Sequence, residues 1–126
     1  MNASVKLLIG IILVGILIFA VPKILGNVTS ASGKYDDFAK CLAGSGTTMY
    51  GAYWCPHCQN QKKLFGSSVK YINYVECDPR GDNARPELCK SKGVTGYPMW
   101  EFSDGTFGSG EQSLQRLSEK SGCILP

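Results

Sequence analysis

Thr47-Thr48-Met49-Tyr50-Gly51-Ala52-Tyr53-Trp54-Cys55-Pro56-His57-Cys58-Gln59-Asn60-Gln61-Lys62-Lys63-Leu64-Phe65 decides how the rest of the chain is read. Its first part is an apolar and aromatic run suited to a buried strand. Its last part is helix-compatible, with Gly66 as a stop. Between them lie two cysteines separated by Pro56 and His57. Pro56 falls where a first-turn proline is tolerated, since its missing N–H would be unpaired there anyway. Two thiols at this spacing can close a disulfide across one turn and so store two electrons. A cysteine opening a helix also has its thiolate stabilised by free backbone N–H groups and the helix dipole. The order strand, Cys-x-x-Cys, helix therefore predicts a redox centre, with Cys55 as the exposed attacking sulfur and Cys58 as the buried resolving one.

The surrounding elements alternate in type. A short amphipathic helix is expected over Tyr35–Leu42, a strand over Lys70–Cys77, and a turn over Asp78–Asp82. A helix follows over Ala84–Lys92, with Asn83 as a possible cap. A strand entered through Pro98 spans Gly96–Phe102, and a turn at Ser103–Thr106 leads to a short strand at Phe107-Gly108. The closing helix is expected over Glu111–Lys120. This string predicts an α/β domain of thioredoxin-like fold: a mixed central sheet flanked by helices.

The chain has 126 residues and six cysteines, with a formal net charge of only +3. Charges of both signs are interspersed, and no basic stripe suggests nucleic acid as a partner. Leu7–Val21 carries no charged side chain. Extended to Leu25, it would make a helix of roughly 28 Å at about 1.5 Å per residue, near the thickness of a bilayer core. Residues 1–25 are thus expected to be a membrane anchor, with a removable signal peptide as the competing reading. Residues 26–33 read as a tether and 34–126 as the thioredoxin-like domain. Either reading of the first segment places the domain on the extracytoplasmic side of the cell membrane. The dense, even cysteine count suits an oxidising compartment.

Four cysteines lie outside the motif. Cys77 and Cys89 bracket a turn and a short helix and are expected to pair, as a structural staple or as a second redox relay. Cys41 ends the first helix and Cys123 follows the last, so a bridge between them would tie down the C-terminus. Six cysteines admit fifteen pairings, and spacing alone does not choose among them.

Trp54-Cys55-Pro56-His57-Cys58, followed some forty residues later by Tyr97-Pro98, resembles the thioredoxin superfamily. More narrowly, Met49–Cys58, Tyr74-Val75-Glu76-Cys77 and Gly96–Trp100 resemble the thioredoxin-like domain attached to prokaryotic homologues of vitamin K epoxide reductase. The resemblance implies a cis Tyr97–Pro98 bond facing the sulfurs, with Trp54, Tyr97 and Pro98 contacting substrate. It also implies protein thiols and disulfides as substrates and a vitamin K epoxide reductase-like membrane protein as partner. The Pro-His pair is the one found in Dsb-type thiol oxidases; His57 near the Cys55 sulfur would favour the thiolate and make the disulfide a stronger oxidant. One departure stands out: many thioredoxins carry a buried carboxylate six residues before the first cysteine, and that place is Met49 here. The proton acceptor for Cys58 is left open.

No cofactor or metal is implied. The competing functions are a protein disulfide reductase or isomerase, a redox-inert stapled binding domain, and a zinc module using Cys55, Cys58, Cys77 and Cys89. The wide spacing of the last pair disfavours zinc.

Overall fold

In a computed structural model of the chain, residues 2–6, 9 and 32–126 are described. The expected anchor (1–25) and nearly all of the tether (26–33) fall outside them, apart from a few residues at each end. Among the described residues no helix is long and apolar enough to cross a membrane. Residues Ser32–Pro126 form one compact unit.

The centre of that unit is β1 (Thr48–Gly51), whose last three residues are buried. It pairs in parallel with β2 (Asn73–Glu76) on one side and antiparallel with β3 (Met99–Glu101) on the other, and β4 (Phe107–Ser109) completes a sheet of order β2-β1-β3-β4. The mixed central sheet flanked by helices is therefore present. A parallel β1–β2 pair needs a crossover, and the chain makes it with α2 (Pro56–Phe65) and a 3₁₀ helix (Gly66–Tyr71).

Strand alternation divides the two faces of the sheet. Met49 and Trp100, fully buried, pack with Phe38, Ala39 and Leu42 of α1 (Asp36–Gly44), Phe65 of α2, and Leu117 of α4 (Leu114–Ser121). Phe65 stacks on Phe38 with ring centroids 6.2 Å apart and meets Trp100 at 6.3 Å. Burying side chains of this size contributes about 1.5–3 kcal/mol each, so this face carries most of the fold. The other face is thinner: Tyr50 packs with Cys77 and Cys89 under α3 (Pro86–Ser91). There the Tyr50 hydroxyl donates to Glu101 at 2.6 Å, and Glu101 also pairs with Lys92.

One fully buried polar side chain fastens α2 to the sheet. Gln61 Oε1 accepts from the Trp100 indole N–H at 3.2 Å and from the Gln112 backbone N–H at 2.6 Å, while its amide donates to the Gln112 carbonyl at 2.9 Å. Every polar atom of Gln61 is thereby satisfied, which removes the penalty of burying an amide.

Several element boundaries differ from the expectations above. The strand expected over Lys70–Cys77 begins only at Asn73, because Gly66–Tyr71 winds as 3₁₀ helix after a turn at Gly66. The third helix starts at Pro86 rather than Ala84. A proline's fixed φ suits the first helical position, so Arg85 takes the cap and Asn83 adopts a left-handed φ of 53° instead. The last helix begins at Leu114, where Ser113 Oγ accepts from the Arg116 N–H at 3.1 Å, a side-chain N-cap.

Candidate active site

Cys55 occupies the cap position of α2, with an extended φ of −73° and ψ of 120°, and Pro56 takes the first helical turn. The turn Ala52–Trp54 brings the chain off β1 into that cap, with the Cys55 N–H donating to the Ala52 carbonyl at 3.0 Å. Cys55 and Cys58 are both thiols in this structure. Their accessibility differs less than the sequence reading expected: Cys55 keeps 6 % of its surface and Cys58 1 %, so Cys55 is the more reachable sulfur but not an exposed one. Burial pushes the Cys58 thiol up to about 12, and the neighbouring Cys55 adds to the effect.

The Tyr97–Pro98 peptide bond is cis. The Tyr97 carbonyl lies 3.7 Å from Cys55 Sγ, so the loop and the sulfur form one surface. Around it stands an aromatic rim. Trp54 and Tyr53 are each about half exposed, and Trp54 meets the Tyr97 ring edge-on at 6.4 Å. The Trp54 indole donates to Asp78 Oδ2 at 2.7 Å, and Arg80 pairs with the same carboxylate at 2.8 Å. These hydrogen bonds hold the Asp78 carboxyl well below the usual carboxylate range, the Arg80 contacts contributing most.

His57 requires a correction. Its Nδ1 is bonded to Glu111 Oε1 at 2.7 Å, not to the Cys55 sulfur, and its ring is largely exposed. Glu111 lies 54 positions away in the loop before α4, and no local sequence signal points to it. A carboxylate at this distance competes with the sulfur for the ring's N–H and charge.

The remaining cysteines are bonded in two pairs, Cys41 to Cys123 and Cys77 to Cys89. With Cys77 and Cys89 joined to each other, the four-cysteine zinc arrangement is not assembled. Among the described residues no group of three or more His, Cys, Asp or Glu side chains converges on a point where a metal ion would fit. The Cys77 N–H donates to the Gly51 carbonyl at 2.8 Å, which sets the Cys77–Cys89 bridge at the same sheet end as the motif but behind Tyr50.

The chain is similar to a plant thiol–disulfide oxidoreductase. Over 104 residues, 79 % of its length, it is 38 % identical to Thiol-disulfide oxidoreductase LTO1 of Arabidopsis thaliana. It spans only about a quarter of that relative, 27 % of the plant protein's length. No family model matches the chain. Among solved structures it is similar to oxidized glutaredoxin 2 from Chlamydomonas reinhardtii, with 19 % identity and a TM-score of 0.42, over 74 % of this chain and all of that one.

Proposed function

We propose that this chain is a protein thiol–disulfide oxidoreductase whose reaction centre is Cys55-Pro56-His57-Cys58. The observation that carries the reading is the placement of two thiols at the start of α2, with the Tyr97 carbonyl 3.7 Å from Cys55 Sγ. The similarity to a protein described as a thiol–disulfide oxidoreductase supports it.

In the oxidising direction a substrate thiolate attacks Cys55 of the Cys55–Cys58 disulfide, and Cys58 leaves with the electron pair. A second substrate thiolate attacks the substrate sulfur of the mixed disulfide and expels Cys55. The substrate gains a disulfide, and the protein is left as two thiols. Pro98 lacks an N–H, and the backbone beside it can pair with an extended substrate strand. Trp54 and Tyr97 supply an aromatic wall for that strand. In the fuller form of the proposal, Leu7–Leu25 anchors the domain at the extracytoplasmic face of the cell membrane. Exported proteins are then the substrates, and a vitamin K epoxide reductase-like membrane protein reoxidises the pair.

One observation favours a second reading, as a disulfide reductase or isomerase. The His57 ring bonds to Glu111, and not to the Cys55 sulfur as expected of the oxidant. The reduction potential of the Cys55–Cys58 couple separates the two. A value near about −120 mV supports the oxidant, and one near about −270 mV the reductant. Loss of both insulin reduction and ribonuclease refolding in Cys55→Ser is expected; their survival would refute either form.

A further inference from the structure

Cys58 must lose a proton to resolve a mixed disulfide, and its burial opposes that loss. Met49 at the centre of β1 is fully buried and offers no acceptor. A hydroxyl stands nearby on the neighbouring strand. A β-carbon added at Gly51 would lie 2.7 Å from Cys58 Sγ, 3.0 Å from Tyr74 Cε2 and 3.3 Å from the Tyr74 hydroxyl. The absent side chain of Gly51 therefore leaves the sulfur and the phenol bordering the same small space.

From there the contacts continue inward. The Tyr74 hydroxyl donates to Glu76 Oε2 at 2.8 Å, and Glu76 Oε1 accepts from the Asp78 N–H at 2.9 Å. Glu76 is buried, with 6 % of its surface left. Gly81 closes over it, since a β-carbon there would fall 2.5 Å from Glu76 Cγ. Lys62, one turn beyond Cys58 on the same face of α2, holds its ammonium 3.4 Å from the centre of the Tyr74 ring. A buried carboxylate bonded to a phenol and a backbone amide, with the phenol's hydroxyl bordering the same space as the resolving sulfur, has the parts of a proton store.

We propose that Glu76, acting through the Tyr74 hydroxyl, receives the Cys58 proton when the mixed disulfide is resolved and returns it in the opposite direction. Lys62 balances the charge between them. The proposal rests on the thiol–disulfide reading above.

In the resolving step the Cys58 proton passes to the Tyr74 oxygen while Tyr74 passes its own to Glu76 Oε2. The freed electron pair on Cys58 bonds to the Cys55 sulfur. The bond from Cys55 to the substrate sulfur breaks, and that sulfur leaves as a thiolate. The Cys58 sulfur is oxidised, the substrate sulfur is reduced, the Cys55 sulfur stays at the disulfide level, and the proton rests on Glu76 until water takes it. The charged and titratable groups around this path are Cys55 and Lys62 from α2, Tyr74 and Glu76 from β2, Asp78 beyond it, and Tyr97 on the cis-proline loop. Burial and the Glu76 bond hold the Tyr74 phenol above its ordinary range, so it stays a hydroxyl that can accept and donate at once. Lys62 is lowered by burial and pulled back up by the charges of Cys58 and Glu76.

The test uses the full chain, reduced, and mixed with glutathione disulfide. Mass spectrometry follows the adduct on Cys55 and its disappearance as Cys58 displaces glutathione. Glu76→Gln and Tyr74→Phe are expected to slow that disappearance about 10²-fold at neutral pH, while adduct formation stays near the wild-type rate. In both variants the rate should climb steeply with hydroxide, while the wild-type rate should depend on pH less steeply. The difference should close as rising pH lets hydroxide take the thiol proton. Tyr74→Phe removes one oxygen and keeps the ring beneath Lys62, so it decides the matter if Glu76→Gln fails to fold. Wild-type rates and pH profile in either folded variant would overturn the relay, as would a slowing by one constant factor at every pH. A wild type that exchanges with glutathione disulfide but leaves protein substrates untouched would sink the functional reading and spare the relay. A Cys55 that forms no adduct would sink both.

Discussion

Two cysteine pairs meet the same end of the sheet and have opposite environments. Cys55 and Cys58 are thiols at a helix start, beside a carbonyl of a cis-proline loop and a half-exposed aromatic rim. Cys77 and Cys89 are bonded to each other behind Tyr50, Val75 and Leu88, on the thinner face of the sheet. The residue type is the same, and the difference lies in what each pair faces. A reactive pair needs a reachable sulfur and a surface on which a partner chain can lie. A bracing pair needs only a loop worth closing.

Exchanging the roles of the two pairs is the strongest way to break this contrast. Cys55→Ser should abolish thiol–disulfide exchange altogether, measured by insulin turbidity, and should leave the unfolding midpoint of the reduced protein nearly unchanged. The bracing pairs should do the reverse. Replacing Cys41 and Cys123 by serine opens a loop with a sequence separation of 82. In the chain-entropy account this costs about 4–5 kcal/mol, read by urea denaturation. The same change at Cys77 and Cys89, separated by 12, should cost about 2–3 kcal/mol, with exchange activity kept within about twofold. If activity fell with Cys77 and Cys89 as it does with Cys55, the second pair would be a relay and not a brace.

Smaller effects sharpen the picture of what holds the reactive helix. Gln61→Leu strands the Trp100 indole N–H and the Gln112 amide, so a loss of about 1–3 kcal/mol is expected. The last effect shows itself only as pH rises above neutral. The Cys58 thiol is held at about 12 when folded, against about 8.5 for an unfolded cysteine. A proton held more tightly by the folded state stabilises that state fully below the unfolded value. That stabilisation is lost as pH rises from about 8.5 towards about 12. The reduced protein should therefore lose thermal stability across that window more steeply than Cys58→Ala, and the two curves should run parallel below it.

Local chemistry was readable from the sequence, and long-range chemistry was not. The β1–α2 unit was visible because an apolar run, a helix-start proline and two cysteines lie within twenty residues. The resemblance implies the cis bond at Pro98, and element order suggests the two cysteine pairs without choosing among the fifteen pairings. By contrast, His57 was assigned to the sulfur because Glu111, 54 positions away, is brought to it only by the fold. Gln61 is in the sequence only one residue of a helix-compatible run, since its partners Trp100 and Gln112 arrive from elsewhere. The strand before the motif offered Met49 where a carboxylate would serve, and Glu76 gave no sign of being buried until β2 was laid beside β1. Lys70-Tyr71 reads as the start of a strand because the run Lys70–Cys77 alternates, but it ends the 3₁₀ stretch Gly66–Tyr71.

The Cys41–Cys123 bridge also has a mechanical consequence. Everything between those two sulfurs, including all four strands and the reactive turn, is a covalent circle. Tension applied between residues before Cys41 and residues after Cys123 passes straight through the bridge, and the circle cannot be drawn out. A pull along the chain would strip the start of α1 and stop there, leaving the sulfur chemistry under no load.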